Sequence, residues 1–243
     1  MKPATGQAPA SAPAEGARAG RISVSSQFIR REAALAASDA KHAKIVAQRF
    51  SLLRTRILRE MRERGWRRLA VVPTKPGAGG TYVAVNLSLA IARQPNTRVA
   101  LIDLNLERPG IAAQLGIPGS EPISATLNQG RGLDSLIVDI AEAPNLSVLA
   151  PSAPEAAAAE LLQDRALIDQ VGGLHESNAS EIAILDSSAL LLADAALATL
   201  PLADALLLVA DGRQGTAADM TECERLLAGM PPVMGIVLNK AED

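Results

Sequence analysis

The chain alternates short aliphatic segments with segments of helical character, and this alternation limits the folds that it can adopt. The aliphatic segments are apolar on almost every residue, as expected of strands in a parallel sheet that is covered by helices on both faces. In chain order they are RLAVV, RVALID, NLSVLA, EIAILD, DALLLVA and VMGIVLN. Helix candidates lie between them, at TYVAVNLSLAIAR, AAAAELLQDRALIDQV and TAADMTECERLLAGM. The pattern predicts an α/β protein with a doubly wound, mostly parallel sheet and helices on both faces.

The amino-terminal part of the chain differs in composition from the rest. Residues 1–40 are rich in Ala, Pro, Gly and Ser, with scattered charges. Such a segment buries too little apolar surface to offset the entropy that it loses on ordering. We therefore predict a flexible arm over residues 1–40 and one α/β domain over residues 41–243, which is long enough to enclose a sizeable core.

The predicted domain begins with a basic amphipathic helix. Apolar side chains recur at helical spacing at Phe50, Leu53, Ile57 and Met61. The charged residues on its other faces are eight Lys or Arg and two Glu. This helix either packs on the domain with a solvated basic face, or offers that face to an acidic partner or to anionic lipid.

Composition excludes several classes of site. One cysteine, Cys223, and two histidines rule out a disulfide framework and any metal site built on cysteines or on several histidines. A net charge of −2 and four aromatic residues argue against a specific nucleic-acid surface. Neither a secretory signal nor an uncharged run long enough to cross a membrane is present. We expect a cytoplasmic protein that reaches a membrane only through a partner or through the basic helix.

A glycine-rich turn follows the first predicted strand, in VVPTKPGAGGTYVAVNL. Strand, glycine-rich turn, hydroxyl residue and helix form the layout of a phosphate-binding loop, in which backbone amides at the helix amino terminus hold an anion. Gly77 and Gly79 would let the backbone approach a phosphate, and Thr81 offers a hydroxyl to Mg²⁺. The match to G-x-x-x-x-G-K-[ST] is incomplete, because Thr74 replaces the first glycine and Gly80 replaces the lysine. On these residues alone, a glycine-rich turn without a ligand is an equally good interpretation.

Seven blocks, in order, resemble one family. They are LLRTRI, PGAGGTYVAVNL, LIDLNLERPG, NLSVLAPSAPEAAAAELL, EIAILDSS, ADAALATLPLADALLLVADG and MGIVLNK. The first three resemble that family's L-R-T-N-I, P-G-E-G-K-[ST]-T-x-A-x-N-L and L-I-D-x-D-L-R-x-P. From about Arg49 to Asn239, about four-fifths of the chain, the sequence resembles the cytoplasmic tyrosine-kinase domains of bacterial capsule and exopolysaccharide assembly, which are MinD/ParA-like P-loop proteins.

The resemblance implies ATP or ADP and Mg²⁺ as ligands. Thr81 matches the hydroxyl that binds Mg²⁺, Asp103 matches the aspartate that helps to activate the attacking hydroxyl, and Asp186 matches an acidic residue near the metal. Asp103 and Asp186 are thus the implied catalytic residues, and with Thr81 the implied Mg²⁺ ligands. Asn239 matches the position that reads the adenine edge. The implied nucleotide-binding residues are Lys75, Gly77, Ala78, Gly79, Gly80, Thr81, Tyr82 and Asn239.

Four departures from the family pattern indicate a vestigial site. Gly80 removes the lysine that neutralises the β- and γ-phosphates, and losing one well-aimed donor costs about 100–1,000-fold in rate. Asn105 replaces the second aspartate of D-x-D. Tyr82 places a bulky ring where the family has a small hydroxyl residue, near the expected α-phosphate. Residues 187–189 read Ser-Ser-Ala instead of Thr-Pro-Pro.

Two further features bear on assembly. Lys75 lies five residues before Gly80, the spacing of a second lysine that reaches phosphate across a dimer in MinD/ParA-type proteins; a solvated loop lysine is the alternative. The family's oligomerisation motif E-x-x-R-x-x-R reads Gln48, Ser51 and Arg54 here, so we do not expect the family's ring-shaped oligomer.

These observations predict a degenerate kinase-like P-loop protein with little or no catalysis. Its expected role is that of a scaffold or regulator of exopolysaccharide or capsule biosynthesis and export, docked on a membrane polysaccharide co-polymerase or a related kinase, with homodimerisation through Lys75 still open. One alternative is an active ATP-dependent tyrosine kinase or ATPase of the same pathway, completed by a partner. Another is a MinD/ParA-type positioning ATPase, for which the basic residues of 41–68 are the only candidate DNA or membrane footprint.

Overall fold

The computed structural model describes residues 20–24, 40–177 and 180–241. Their centre is an eight-stranded sheet with the order β1-β4-β5-β3-β6-β2-β7-β8. Neighbouring strands are parallel except β4 and β5, which are antiparallel. The strands are β1 (Gly20–Ile22), β2 (Arg68–Pro73), β3 (Val99–Asp103), β4 (Val138–Ile140), β5 (Ala143–Leu149), β6 (Ile182–Asp186), β7 (Ala205–Asp211) and β8 (Val233–Asn239). The predicted doubly wound, mostly parallel sheet is confirmed.

Helices cover both faces of this sheet. They are α1 (Ala40–Arg64), α2 (Gly80–Ala92), α3 (Ile111–Leu115), α4 (Ile123–Asn128), α5 (Ala158–Leu162), α6 (Arg165–Ser177), α7 (Asp194–Thr199) and α8 (Ala217–Leu226), with 3₁₀ turns at Leu133–Leu136 and Leu200–Leu202. Buried residues of α1, α2 and α3 form one apolar cluster with the sheet, and those of α4 to α8 form a second. None of the described helices is both long and apolar enough to span a bilayer.

The central strand shows why the aliphatic segments are apolar throughout. In β2, Leu69 and Val71 belong to the first cluster, whereas Ala70 and Val72 belong to the second, and none of the four is exposed to solvent. Successive side chains of a strand point to opposite faces. A strand that is covered on both faces therefore has no position for a polar residue until it reaches the carboxyl edge of the sheet, where the site residues lie.

The amino-terminal arm differs from the prediction at one place. Residues 20–22 form β1, which pairs in parallel with β4 at the edge of the sheet. Val24 is buried, and its backbone N–H donates a hydrogen bond to the Glu142 carboxylate (3.0 Å). This part of the predicted flexible segment is thus held by an edge strand. The rest of the predicted arm, residues 1–19 and 25–39, lies outside the described residues.

Candidate functional site

The glycine-rich loop joins β2 to α2 at the carboxyl edge of the sheet. Gly77 (φ 82°) and Gly79 (φ 92°) both have left-handed backbone angles, which β-carbon-bearing residues rarely adopt. The backbone N–H of buried Thr74 donates to the carbonyl of Val209 on β7 (2.9 Å), and this bond fixes the start of the loop. Helix α2 has 13 residues and no acidic residue in its first turn, so its free amino-terminal N–H groups favour an anion.

A cavity of about 410 Å³, called here the loop cavity, opens beside this loop. Loop residues from Pro73 to Tyr82 line one side, and Asn105, Glu107 and Arg108 line the other. Glu107 stands where the family pattern L-I-D-x-D-L-R-x-P has arginine, so a negative charge replaces a positive one at the cavity wall. Sequence reasoning missed this residue and its neighbour Arg108, although the pattern itself contained the signal.

The space that a side chain at position 80 would need is already filled. A β-carbon added to Gly80 would lie 2.8 Å from both Cδ and Cγ of Pro73, inside any normal contact distance. Pro73 ends β2 and is buried, so its ring cannot easily move away. The position that the family pattern gives to lysine is therefore packed too closely for a side chain in this structure.

Two residues at the end of β8 hold the loop: Asn239, the last residue of the strand, and Lys240, which follows it. The Asn239 side-chain amide donates to the carbonyl of Ala78 (2.8 Å), and the Lys240 ammonium donates to the carbonyl of Gly77 (2.6 Å). The same ammonium pairs with Asp211 at the end of β7 (2.9 Å) and holds the pKa of that carboxyl below its usual value. We call Asn239 and Lys240 the loop clasp. Asn239 was expected to read adenine; here its amide nitrogen binds the loop.

Lys240 was not identified from the sequence. Its backbone has φ 59°, the one left-handed non-glycine residue in the described part of the chain. That conformation turns the chain back at the end of β8 and so lets the ammonium reach the loop. A lysine directly after a strand at the carboxyl edge of the sheet was the available signal, but the turn that directs it to the loop is not encoded in any motif.

Asp103 and Asp186 lie side by side, as expected for residues that end adjacent parallel strands. They are register partners on β3 and β6, and neither is exposed to solvent. Asp103 accepts backbone hydrogen bonds from Gly110 (2.8 Å), Ile111 (2.9 Å) and Asn105 (3.2 Å). Burial nevertheless raises the pKa of Asp103 to about 6, because these bonds only partly offset the loss of hydration.

Asp186 is less well satisfied. Neither carboxylate oxygen makes a hydrogen bond of normal geometry within the described residues, although the Thr81 hydroxyl lies close enough to favour ionisation weakly. Burial first, and the charge of Asp103 second, raise the pKa of Asp186 well above its usual value. A buried carboxyl group without partners needs a proton or a cation.

These residues fit a magnesium ion. Mg²⁺ prefers hard oxygen ligands and usually keeps water and substrate phosphate in its coordination shell. The unpartnered Asp186 carboxylate and the Thr81 hydroxyl would hold it, with Asp103 beside them already occupied in part by backbone N–H groups. No group of three or more acidic, His or Cys side chains converges anywhere among the described residues, so the remaining ligands would come from phosphate and water.

Lys75 does not point toward the amino terminus of α2 in this structure. Its ammonium pairs with the Asp219 carboxylate (2.7 Å), which also accepts a hydrogen bond from the backbone N–H of Thr216 as part of the capping box of α8. Asn105 likewise has a local partner, since its side-chain oxygen accepts a hydrogen bond from Ser188 (2.9 Å). The hydroxyl of Ser187 is buried without a partner among the described residues.

A second and larger cavity, of about 650 Å³, lies between α1 and β8 and is called here the helix cavity. Phe50, Leu53 and Val237 contribute apolar surface to it, and Arg49 and Arg56 of α1 also line it. The Phe50 ring meets the Tyr82 ring edge-on, with the ring centres 5.9 Å apart and an interplanar angle of 66°. Tyr82 thus sits at the junction of the two cavities.

Comparisons with known proteins agree with this architecture. No protein-family model matches the chain. No curated protein matches it either. Among solved structures, the kinase domain of VpsO is similar (TM-score 0.71, 22% identity, 84% of this chain and 98% of that one). So is the BceF tyrosine kinase domain (TM-score 0.69, 19% identity, 91% and 92%). The chain has the fold of these kinase domains. The cell-division ATPase MinD of Pyrococcus furiosus shares that fold too (TM-score 0.58, 22% identity, 71% of each chain).

Proposed function

We propose that this protein is a degenerate, kinase-like P-loop protein that acts as a scaffold or regulator of exopolysaccharide or capsule biosynthesis and export. The observation that carries the proposal is the packing of Pro73 against Gly80. A loop that had merely lost its lysine would leave room for one, whereas this loop has none. Glu107 acts in the same direction, because it places a negative charge where the family pattern has an arginine that would stabilise the transferred phosphoryl group.

The catalytic part of the proposal is tested by turnover. Purified protein is incubated with ATP and Mg²⁺, and released phosphate and phosphotyrosine are measured; we expect neither above background. Magnesium-dependent hydrolysis that Asp103→Ala abolishes, while Asp169→Ala on the exposed face of α6 retains it, would overturn the proposal. A titration with ATP and ADP then separates a nucleotide-stabilised scaffold from a site that has lost its ligand.

The proposed partner is a membrane polysaccharide co-polymerase or a related kinase, and α1 is the proposed docking surface. Two observations support this surface: the resemblance of the chain to the kinase domains of exopolysaccharide assembly, and the exposed basic side chains of α1, among them Lys44, Arg56 and Arg59. Arg59 is already paired with Glu63 (2.8 Å), so Arg56 is the better probe. We expect Arg56→Glu to weaken binding of the partner's cytoplasmic segment about tenfold or more, and Arg165→Glu on α6 to leave it unchanged. If Arg56→Glu bound the partner's cytoplasmic segment as tightly as Arg165→Glu does, α1 would be excluded as the docking surface.

One observation favours a second candidate, an active ATP-dependent tyrosine kinase or ATPase that a partner completes. Asp186 and Thr81 retain the groups that would hold Mg²⁺. Adding the partner's cytoplasmic segment and measuring phosphate release distinguishes the two functions. Turnover that appears only in the mixture, and disappears with Asp186→Ala, supports the active enzyme.

A MinD/ParA-type positioning ATPase is the remaining candidate, and it rests on Lys75. For this lysine to reach phosphate in a homodimer, it must first leave Asp219. Nucleotide-dependent dimerisation that Lys75→Ala abolishes would support this function. A Lys75→Ala variant that binds ATP as well as the parent would remove the role of Lys75.

A further inference from the structure

The loop cavity and the helix cavity meet at the start of α2. Within the described residues, only Gly79 and Tyr82 line both. Gly79 has no side chain, so Tyr82 carries the one side chain that these two linings share. A ligand that extends from one cavity into the other would run beside the Tyr82 ring.

Residues of both α1 and α2 pack against the Tyr82 ring. Tyr82 lies in the first turn of α2, is only partly exposed, and packs on the apolar cluster that α1 and α2 share. Phe50 of α1 contacts it edge-on, an arrangement that aromatic pairs prefer. The side chain therefore has packing partners that oppose its rotation out of the passage.

The size and shape of a nucleotide determine which ligands this ring would exclude. A nucleoside triphosphate bound at a phosphate loop places its phosphates over the helix amino terminus, and its sugar and base continue away from the loop. Here the helix cavity is the apolar space that a base would enter. It lies next to the glycine-rich loop and the loop clasp. A short oxyanion needs only the loop cavity, where the backbone N–H groups of the loop are available and Arg108 lies in the lining next to Glu107, whose charge it offsets.

We propose that Tyr82 is a specificity-determining residue that restricts the loop cavity to a short oxyanion, inorganic diphosphate or phosphate, and rejects nucleoside triphosphates. This inference deepens the proposed function and rests on it, in that it takes the loop as an anion site without turnover. On this proposal, weak binding of ATP follows from the ring at position 82, independently of the missing lysine.

The test compares the affinities of diphosphate and of ATP, each with Mg²⁺, by isothermal titration calorimetry. In the parent protein we expect diphosphate to bind more tightly than ATP. Tyr82→Ser should tighten ATP about tenfold or more and change diphosphate by less than about threefold, because it opens the passage and leaves the loop intact. Tyr82→Phe is the matched control: it keeps the ring, so the ratio of the two affinities should stay close to that of the parent.

Phe50→Leu provides an independent variant if Tyr82→Ser does not fold. It keeps apolar packing and removes the ring that holds Tyr82, and it should tighten ATP about threefold with diphosphate unchanged. The proposal is overturned if the parent binds ATP more tightly than diphosphate, if the opening variants leave the ratio of the two affinities unchanged, or if no variant binds either anion. ATP turnover by the parent would refute the proposed function instead, and it is scored separately by phosphate release.

Discussion

The buried carboxyl group of Asp186 leads to a prediction about stability that needs no ligand. In the folded protein its oxygens lack hydrogen-bond donors of normal geometry, and its pKa is raised well above the usual value by burial and by the Asp103 charge. Folding therefore takes up a proton at this side chain wherever the unfolded chain has already lost it. Stability must fall as the pH rises from the unfolded pKa toward the folded one, by about 1.4 kcal/mol for each pH unit.

Asp186→Asn removes that penalty and keeps the shape of the side chain. Between about pH 4 and neutral pH, the parent should lose stability through this carboxyl group, by up to about 1.4 kcal/mol for each pH unit, and the variant should not lose this part. At neutral pH the variant should therefore melt higher than the parent, by about 2–4 °C for each kcal/mol of penalty removed, and near pH 4 the two should be close. The assay is thermal unfolding across this pH range in a buffer that contains EDTA, so that no cation neutralises the parent.

Asp103→Asn is the matched control near pH 4: there the raised pKa of about 6 keeps Asp103 protonated, so the substitution removes no ionisation penalty and should change stability in the opposite direction. Asp103 accepts three backbone hydrogen bonds through its two oxygens, whereas an amide has a single acceptor oxygen, so the variant should lose about 1–3 kcal/mol. This account of Asp186 would be refuted if Asp186→Asn melted below the parent at neutral pH, or if its melting temperature fell with rising pH as steeply as the parent's does; the raised pKa of Asp103 gives both proteins a shared, smaller fall. Excess Mg²⁺ should raise the melting temperature of the parent and leave that of Asp186→Asn unchanged.

Two other substitutions test the packing of the loop. Gly80→Ala should cost about 1–3 kcal/mol in unfolding free energy because its β-carbon meets the Pro73 ring, whereas Gly173→Ala, in the helix α6 with open space around it, should be neutral or stabilising; chemical denaturation measures both. A Gly80→Ala variant as stable as the parent would contradict the crowding. Lys240→Met should speed hydrogen exchange of the loop amides about threefold to tenfold, since the carbonyl of Gly77 loses a charged donor. Unchanged exchange would mean that the clasp does not hold the loop.

The sheet was predictable where strands are buried on both faces. All six aliphatic segments became strands. Five of them lie inside the sheet, where a strand such as β2 between two helical layers is apolar over its buried part; the sixth, β8, is an edge strand that is aliphatic although several of its side chains are exposed. The two strands that were not predicted, β1 and β4, have three residues each and lie at one edge. A segment of that length carries no periodicity, and its pairing depends on contacts with a distant part of the chain. The helix candidate at 156–171 was found as two helices, α5 and α6, separated at Gln163 and Asp164.

The site was predictable only in part. The proximity of Asp103 and Asp186 follows from the rule that parallel strands end at one edge, and the glycine-rich loop from its spacing. What a side chain does there depends on geometry that no motif contains. The partner of Lys75 comes from α8, and the clasp depends on the left-handed turn at Lys240. These contacts join segments far apart in the chain, so they become visible only when the fold is known.

The contact between Pro73 and Gly80 also limits how this sequence can change over evolutionary time. A single substitution that restores lysine at position 80 would place its β-carbon against the proline ring and lower stability before any phosphate is bound. Replacing Pro73 first would relieve the crowding, but by itself would leave a void beside a buried glycine. Either substitution made alone should thus lower the stability of the fold. Positions 73 and 80 are coupled, so a side chain at position 80 requires a compensating change at position 73.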